Sequence, residues 1–383
     1  MRCFYEWGTR QLKKHGEELC GDAIAISRRA DSVTVAISDG LGSGVKANIL
    51  ATLTTQIAMH LMANDLSISE VVETIGQTLP VCQVRKLAYS TFAIAHFLSD
   101  GHARVVEFDA PPVIVLRQRA VRPTPYAERV IADKTIRETV LDLDVGDWVV
   151  FVSDGVLNAG IGGAYPLGWG WDLAARYLEA HAHSDLSAQD LADKLTDTVA
   201  DLYTAKPGDD VSIVVIKVRH KRTATVLTGP PAERSADEWV VAHFIQRHGL
   251  HAVCGGTTAK VVAAHLGQPI DVDLSTMRPD VPPMARIPSL DLVTEGILTL
   301  TRAQELLRSG ATKESVRFQD DGAAALVRLL LDVDSVHFIV GMAVNAAHQN
   351  PDLPVQLGMK LGVVRELVEE LGTRGVEAKF QTV

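Results

Sequence analysis

The sequence predicts an α+β layered sandwich, α-β-β-α, over residues 1–218, followed by a smaller α/β domain over residues 236–383. Three observations carry this. Strand-like and helix-like runs succeed one another as strands, helix pair, strands, helix pair, strand, an order that stacks sheets with helices outside. Two apolar runs, residues 33–37 and 148–152, end in the same three letters, at Ser38-Asp39-Gly40 and Ser153-Asp154-Gly155. Beyond Gly229-Pro230-Pro231 the pattern changes to alternating helix and strand, which marks residues 219–235 as a linker. A chain of 383 residues also exceeds the usual size of one core.

Taken in order, residues 1–22 open with a strand and a polar segment and reach Gly21-Asp22. Residues 23–26 and 33–37 read as strands joined at Arg29-Ala30-Asp31. After the glycine loop Gly40-Leu41-Gly42-Ser43-Gly44, apolar Val45, Ile49, Leu50, Leu53, Ile57 and Leu61 recur at helical spacing. They predict a helix of about five turns resting that face on a sheet. A helix over 68–79 and strands over 90–98, 103–109 and 113–117 follow. Ser99-Asp100-Gly101 repeats the strand-end letters, but at hairpin spacing, and is a turn. Strands at 140–141 and 148–152, helices at 173–181 and 188–204, and a strand at 211–216 complete the first domain. No glycine-rich nucleotide loop follows its first strand, which disfavours a doubly wound sheet there.

In the second domain, helices are predicted over 236–248, 259–266, 303–307, 323–331 and 363–371. Strands fall at 251–254, 290–294, 336–340 and 376–381.

Composition excludes several classes. Hydrophobic content of 47% and charged content of 22% describe an ordinary globular protein. A net charge of -10 with scattered Lys and Arg argues against nucleic acid as a partner. The basic run at residues 217–222 reads as a solvated strand end or linker. No signal-like stretch and no apolar run of about 18 residues is present, so neither a membrane span nor a membrane partner is expected. Cys3, Cys20, Cys82 and Cys254 show no paired spacing; a cytoplasmic protein without zinc or disulfides is the expectation.

Asp22, Asp39, Asp154 and Asp209 each stand at the end of an apolar strand. Gathering carboxylates costs free energy unless a cation neutralises them. Oxygen-only ligation points to Mg²⁺ or Mn²⁺. Two such ions roughly 3.5–4 Å apart can lower the pKa of a shared water and clamp a phosphate.

Gly21-Asp22, Ser38-Asp39-Gly40-Leu41-Gly42, Ser153-Asp154-Gly155 and Asp209-Asp210-Val211-Ser212 occur in the order found in the metal-dependent protein phosphatases of the 2C class. Over residues 1–218 the chain resembles the SpoIIE branch, bacterial serine phosphatases with an α-β-β-α sandwich. The resemblance implies two Mn²⁺ or Mg²⁺ ions, or three. Asp39 and the Gly40 carbonyl would ligate, Asp154 and Asp209 would hold the second ion, and Asp22 would ligate directly or through water. Asp39 and Asp154 would thereby be catalytic through metal-bound water, and Asp210 would orient the site. It also implies a phosphoserine or phosphothreonine substrate on a bacterial regulatory protein, such as an anti-sigma-factor antagonist. The sequence departs at Leu41, where many members carry a His that can donate a proton. Arg10, with Lys13 and Lys14 nearby, is the candidate partner for substrate phosphate. The loop over 161–171, with its glycines and two tryptophans, reads either as a flap over the site or as a loop pinned by buried aromatics.

In the second domain Gly255-Gly256-Thr257-Thr258, between a strand and a helix, has the makings of an anion cradle. It lacks the Lys of a P-loop, and a Thr-capped turn explains it equally. Two alternatives to the phosphatase reading follow: a catalytically weak phosphatase-like binding module, and a main activity in the second domain as a binder of a nucleotide or phospho-metabolite.

Overall fold

The computed structural model describes residues 3–78, 90–131, 134–343 and 353–383, and the chain divides into two compact units, residues 1–220 and 221–383. Leu79 and Cys82 lie outside the described residues.

The first unit runs β1 (Phe4–Leu12), β2 (Asp22–Arg28), β3 (Ser32–Gly40), α1 (Gly44–Ala63), α2 (Ile68–Thr78), β4 (Ser90–Leu98) and β5 (His102–Phe108). It continues with β6 (Ile114–Arg117), β7 (Ala120–Arg122), β8 (Tyr126–Ile131), β9 (Lys134–Asp142) and β10 (Trp148–Val152). The short α3 (Asp154–Leu157), then α4 (Gly170–His181), α5 (Ala188–Leu202) and β11 (Val211–Arg219) close it. One sheet has the order β1-β11-β10-β6-β7, the other β2-β3-β4-β5-β9-β8. Between them lies an apolar layer that includes Tyr5, Val35, Ile37, Phe97, Phe151 and Ile216. α1 and α2 cover the outer face of the second sheet, and α4 and α5 that of the first. This is the four-layer α-β-β-α sandwich expected from the order of elements.

α1 corrects one expectation. Val45, Ile49 and Leu53 are exposed, while the face on the sheet is made of Gly44, Ala47, Ala51, Thr54, Thr55, Ala58 and Met62. The reason is proximity: a Cβ built on Gly40 would lie 2.0 Å from the Ala47 carbonyl oxygen. Only small side chains let the helix backbone come that close. In the basic run at 217–222, His220, Lys221 and Arg222 are exposed as expected, but Lys217 and Arg219 are not. Lys217 is buried, donates to the carbonyls of Ser184 and Leu186, and lies over the Trp148 ring; Arg219 pairs with Glu6. A pleated strand sends alternate residues outward, so these cations face α5 and its connection rather than water.

The second unit runs β12 (Thr223–Thr228), α6 (Asp237–Ile245), β13 (Leu250–Cys254), α7 (Gly256–Leu266), β14 (Asp271–Asp273), β15 (Met284–Arg286) and β16 (Leu292–Thr294). α8 (Ile297–Arg308), α9 (Gly322–Asp332), β17 (Ser335–Val340), α10 (Leu353–Thr373) and β18 (Glu377–Thr382) follow. β16, β13, β12, β17 and β18 are parallel, in that spatial order, and β15 and β14 add antiparallel strands beyond β16. By chain position the parallel strands stand as third, second, first, fourth, fifth, a doubly wound arrangement with its switch point between β12 and β17. Leu300, Val327 and Leu367 pack on one face of the sheet, Val240, Phe244 and Val262 on the other.

The expected linker, residues 219–235, is therefore not a linker throughout. Its residues 223–228 form β12, the first strand of this sheet, paired on both sides. The Gly-Pro-Pro signal belongs to the turn after that strand, and the β-branched Thr223-Ala-Thr-Val-Leu-Thr before it carries the strand propensity.

Candidate metal and active site

β2 and β3 are antiparallel, and their register places Asp22 directly opposite Asp39. Both stand at the end of the second sheet that meets the β10–α3 junction and the start of β11 in the first. Asp154 opens α3 and Asp209 precedes β11. The junction is tightly built. Ser153 donates its backbone N–H to the Ser212 carbonyl at 2.9 Å, and Ser212 N–H donates to Ser153 Oγ at 2.8 Å. A Cβ on Gly155 would lie 2.0 Å from the Asp210 carbonyl oxygen, which explains the glycine of Ser-Asp-Gly.

Asp22 is 2% exposed, and neither of its carboxylate oxygens has a hydrogen-bond partner. Its pKa is raised to about 6, by burial first; the nearby Ser212 and Ser153 hydroxyls oppose the shift without reaching hydrogen-bonding geometry. The Asp39 carboxyl is pushed up to about 8, by burial and then by the charges of Asp22, Asp154 and Asp209. Asp154 is raised by partial desolvation and then by Asp209, although it sits at the exposed rim, where water screens it more than Asp39. The four acids thus feel one another across two sheets. Among the described residues no three acidic, His or Cys side chains already enclose a single point as metal ligands. The donor set nevertheless fits a hard divalent cation: it is carboxylate, mutually repelling, and includes a buried carboxylate with no partner.

Asp210 stands beside this set, its charge adding to the raised pKa of Asp22 and of Asp154. It is buried, its Oδ1 accepts the Lys14 N–H at 2.9 Å, and a Cβ on Gly21 would lie 2.7 Å from its Oδ2. Gln11 is a positioning residue that sequence reading missed. Its Nε2 donates to Ser212 Oγ at 2.8 Å and to the Asp22 carbonyl at 3.3 Å, joining the two sheets behind the acids. Glu17 was also missed; its carboxylate accepts from Ser43 Oγ at 2.6 Å beside the N-terminus of α1, where negative charge is favoured.

Arg10 is not brought to the cluster. Its Nε pairs with Asp193 of α5 at 2.7 Å, and β1 sends Arg10 to the face opposite Gln11. In the loop over 161–171, Trp169 is buried against Tyr177, and Trp171 Nε1 donates to the Pro112 carbonyl at 2.8 Å. Ile161 and Leu167 are left exposed. The aromatics pin this loop. A cavity of about 540 Å³ lies at the other end of the second sheet, lined by Arg29, Asp31, Asp65, His96, His102 and Arg104. Its Arg29, His96, His102 and Arg104 are paired with Asp65, Thr34, Asp142 and Glu138. No helix among the described residues is long and apolar enough to cross a membrane.

In the second unit, Gly255 has φ +141° and Gly256 begins α7, so the helix starts earlier than the sequence predicts. Cys254 is fully buried and burial pushes its thiol up to about 11, which leaves it a packing residue.

Comparison with known proteins finds no match among curated proteins. Several solved structures are similar. The phosphatase domain of the cell-fate determinant SpoIIE from Bacillus subtilis is 19% identical, covering 57% of this chain and 94% of its own, with a TM-score of 0.45. A longer SpoIIE fragment from the same organism, with part of its regulatory domain, is 19% identical over 57% of this chain and 64% of its own, at 0.49. The SiaA PP2C domain of Pseudomonas aeruginosa is 19% identical over 55% and 85%, at 0.45. The fold assignment rests on the sheets and helix layers themselves. Residues 29–219, which include Asp39, Asp154 and Asp209 and begin after Asp22, match the family model of Stage II sporulation protein E. The N-terminal unit of this chain thus belongs to the SpoIIE family and is a phosphatase domain of the protein phosphatase 2C type.

Proposed function

We propose that the N-terminal unit is a Mn²⁺- or Mg²⁺-dependent serine/threonine phosphatase acting on a phosphorylated regulatory protein of the anti-sigma-factor-antagonist kind. The observation that carries the metal dependence is the Asp22–Asp39 pair with its partnerless buried carboxylate, facing Asp154 and Asp209 from the other sheet. Asp22, Asp39, Asp154, Asp209 and the Gly40 carbonyl would hold the ions. Divalent cations bound there would supply Lewis acidity and an activated water for attack on phosphorus.

The chain's own groups provide the frame. The Ser153–Ser212 bonds and Gln11 hold the two strand ends in register, and Asp210, fixed by Lys14 N–H, orients the start of β11. Leu41 cannot transfer a proton, so the leaving alcohol must take its proton from solvent at the site. That same residue favours a second reading, a catalytically weak module that binds phosphoprotein.

The test is hydrolysis of a phosphoserine peptide with Mn²⁺ or with EDTA, for wild type and Asp39→Asn. Metal-dependent release of phosphate that disappears in the variant supports catalysis. A folded, metal-loaded protein that binds the peptide without releasing phosphate supports the second reading.

A further inference from the structure

The parallel strands of the second unit all end at one edge of its sheet, the edge where doubly wound sheets place ligands. Three of the loops there meet. A Cβ built on Gly296 would lie 3.5 Å from the Gly255 Cα, and one built on Gly255 would lie 3.9 Å from the Gly229 backbone nitrogen. α7 and α8 both begin at this point, at Gly256 and Ile297, and no side-chain bond from the N-cap position closes either end. Other helix starts differ among themselves: Asp321 accepts from Ala323 and Ala324 N–H at the start of α9 and Ser187 forms a capping box on α5, while α1, α4 and α6 also lack a side-chain cap.

Two further observations point to a ligand. Thr258 and Thr299 occupy the third position of α7 and α8, are 2% and 0% exposed, and their hydroxyls have no partner. The Thr258 hydroxyl faces Gly255, 3.0 Å from where a Cβ would stand. Across the same edge, Lys360 of α10 donates to the Gly341 carbonyl at 3.0 Å and crowds Gly229, and among the described residues no carboxylate pairs with it. Helix N-termini, free hydroxyls and an unpaired ammonium are each complementary to an anion. The Glu295 carboxylate, which receives the Gly296 N–H and lies near Gly256, is not. A bare phosphate would meet it as a like charge. A phosphate ester bearing hydroxyl groups could set those against Glu295 and its phosphate against the helix ends.

We propose that this edge of the second unit binds a hydroxyl-bearing phosphate ester, a nucleotide or a sugar phosphate. Its phosphate is held at the N-termini of α7 and α8 by Gly255, Gly256 and Thr258, with Lys360 as counter-charge, and its hydroxyls face Glu295. The site is independent of the carboxylate cluster of the first unit.

Calorimetric titration of the full chain in EDTA, with inorganic phosphate, AMP, ADP and ribose 5-phosphate as probes, tests this. At least one ester should bind more tightly than inorganic phosphate; nucleotides alone or both ester types tell the two sources apart. Thr258→Val and Lys360→Gln should each weaken binding about tenfold or more, the loss of one charge-assisted hydrogen bond. Thr258→Val replaces an unpartnered buried hydroxyl with a methyl of the same shape, so it should fold at least as stably as wild type. Asp39→Asn should leave this binding unchanged. No binding of any ester, equal binding by both variants, or loss of binding in Asp39→Asn would overturn the proposal.

Discussion

Asp22 and Asp39 face each other across the β2–β3 ladder, two carboxylates in register at one strand end, one of them buried without a hydrogen-bond partner. Like charges directly opposite on a sheet destabilise it. Burial first, then the charges of Asp210 and Asp154 on Asp22 and of Asp22, Asp154 and Asp209 on Asp39, hold both pKa values above 3.8, at about 6 and about 8.

A group whose folded pKa is raised binds more protons when folded than when unfolded, so stability is lost as pH rises through the folded value. In EDTA, the melting temperature should fall between pH 4 and pH 8, and Asp39→Asn should flatten the curve and melt higher at pH 8. Mn²⁺ should raise the melting temperature of the wild type more than that of the variant. A metal-free protein whose melting temperature rises across that window would contradict the account.

Gly40 and Gly155 should tolerate no side chain. Each Cβ would sit 2.0 Å from a carbonyl oxygen, of Ala47 and of Asp210. Gly40→Ala and Gly155→Ala should each cost about 1–3 kcal/mol or more in urea unfolding, the range for overpacking against unyielding backbone. Full stability in either would mean that α1 or β11 can move away freely.

On α1 the stability map should run against hydropathy. Ile49→Ser and Leu53→Ser should change stability by no more than about 0.5 kcal/mol, as exposed positions do. Ala51→Leu, on the face against the sheet, should cost about 1–3 kcal/mol. The reverse ranking in urea unfolding would show that the helix lies on its apolar stripe after all.

These residues mark where the sequence was legible and where it was not. Asp39 and Asp154 could be read because an apolar run, a carboxylate and a glycine are all local. The face of α1 could not, because Ala47, Ala51 and Ala58 carry little hydrophobic signal and their role is to be small. β12 was hidden by the turn that follows it, and β14 and β15 are three residues each, too short for a period to show. Gln11 reaches Ser212 across 201 residues of chain, and no pattern in either neighbourhood announces the contact.

Arg10 belongs to the Asp193 pair on α5. Arg10→Gln should therefore keep phosphatase activity within about twofold, and its stability cost should stay near the ~0.2–1 kcal/mol of an exposed ion pair. A large rise in KM with unchanged melting temperature would instead place Arg10 at the substrate.

The Asp22, Asp39, Asp154 and Asp209 carboxylates should form one divalent-cation site shared by two sheets. Mn²⁺ titration of the full chain, followed by the electron paramagnetic resonance signal of the free ion, addresses it most directly. Two ions should bind per chain, with at least one lost in Asp39→Asn and none lost in Asp193→Asn. Equal Mn²⁺ binding by wild type and Asp39→Asn, or none by either, would contradict it.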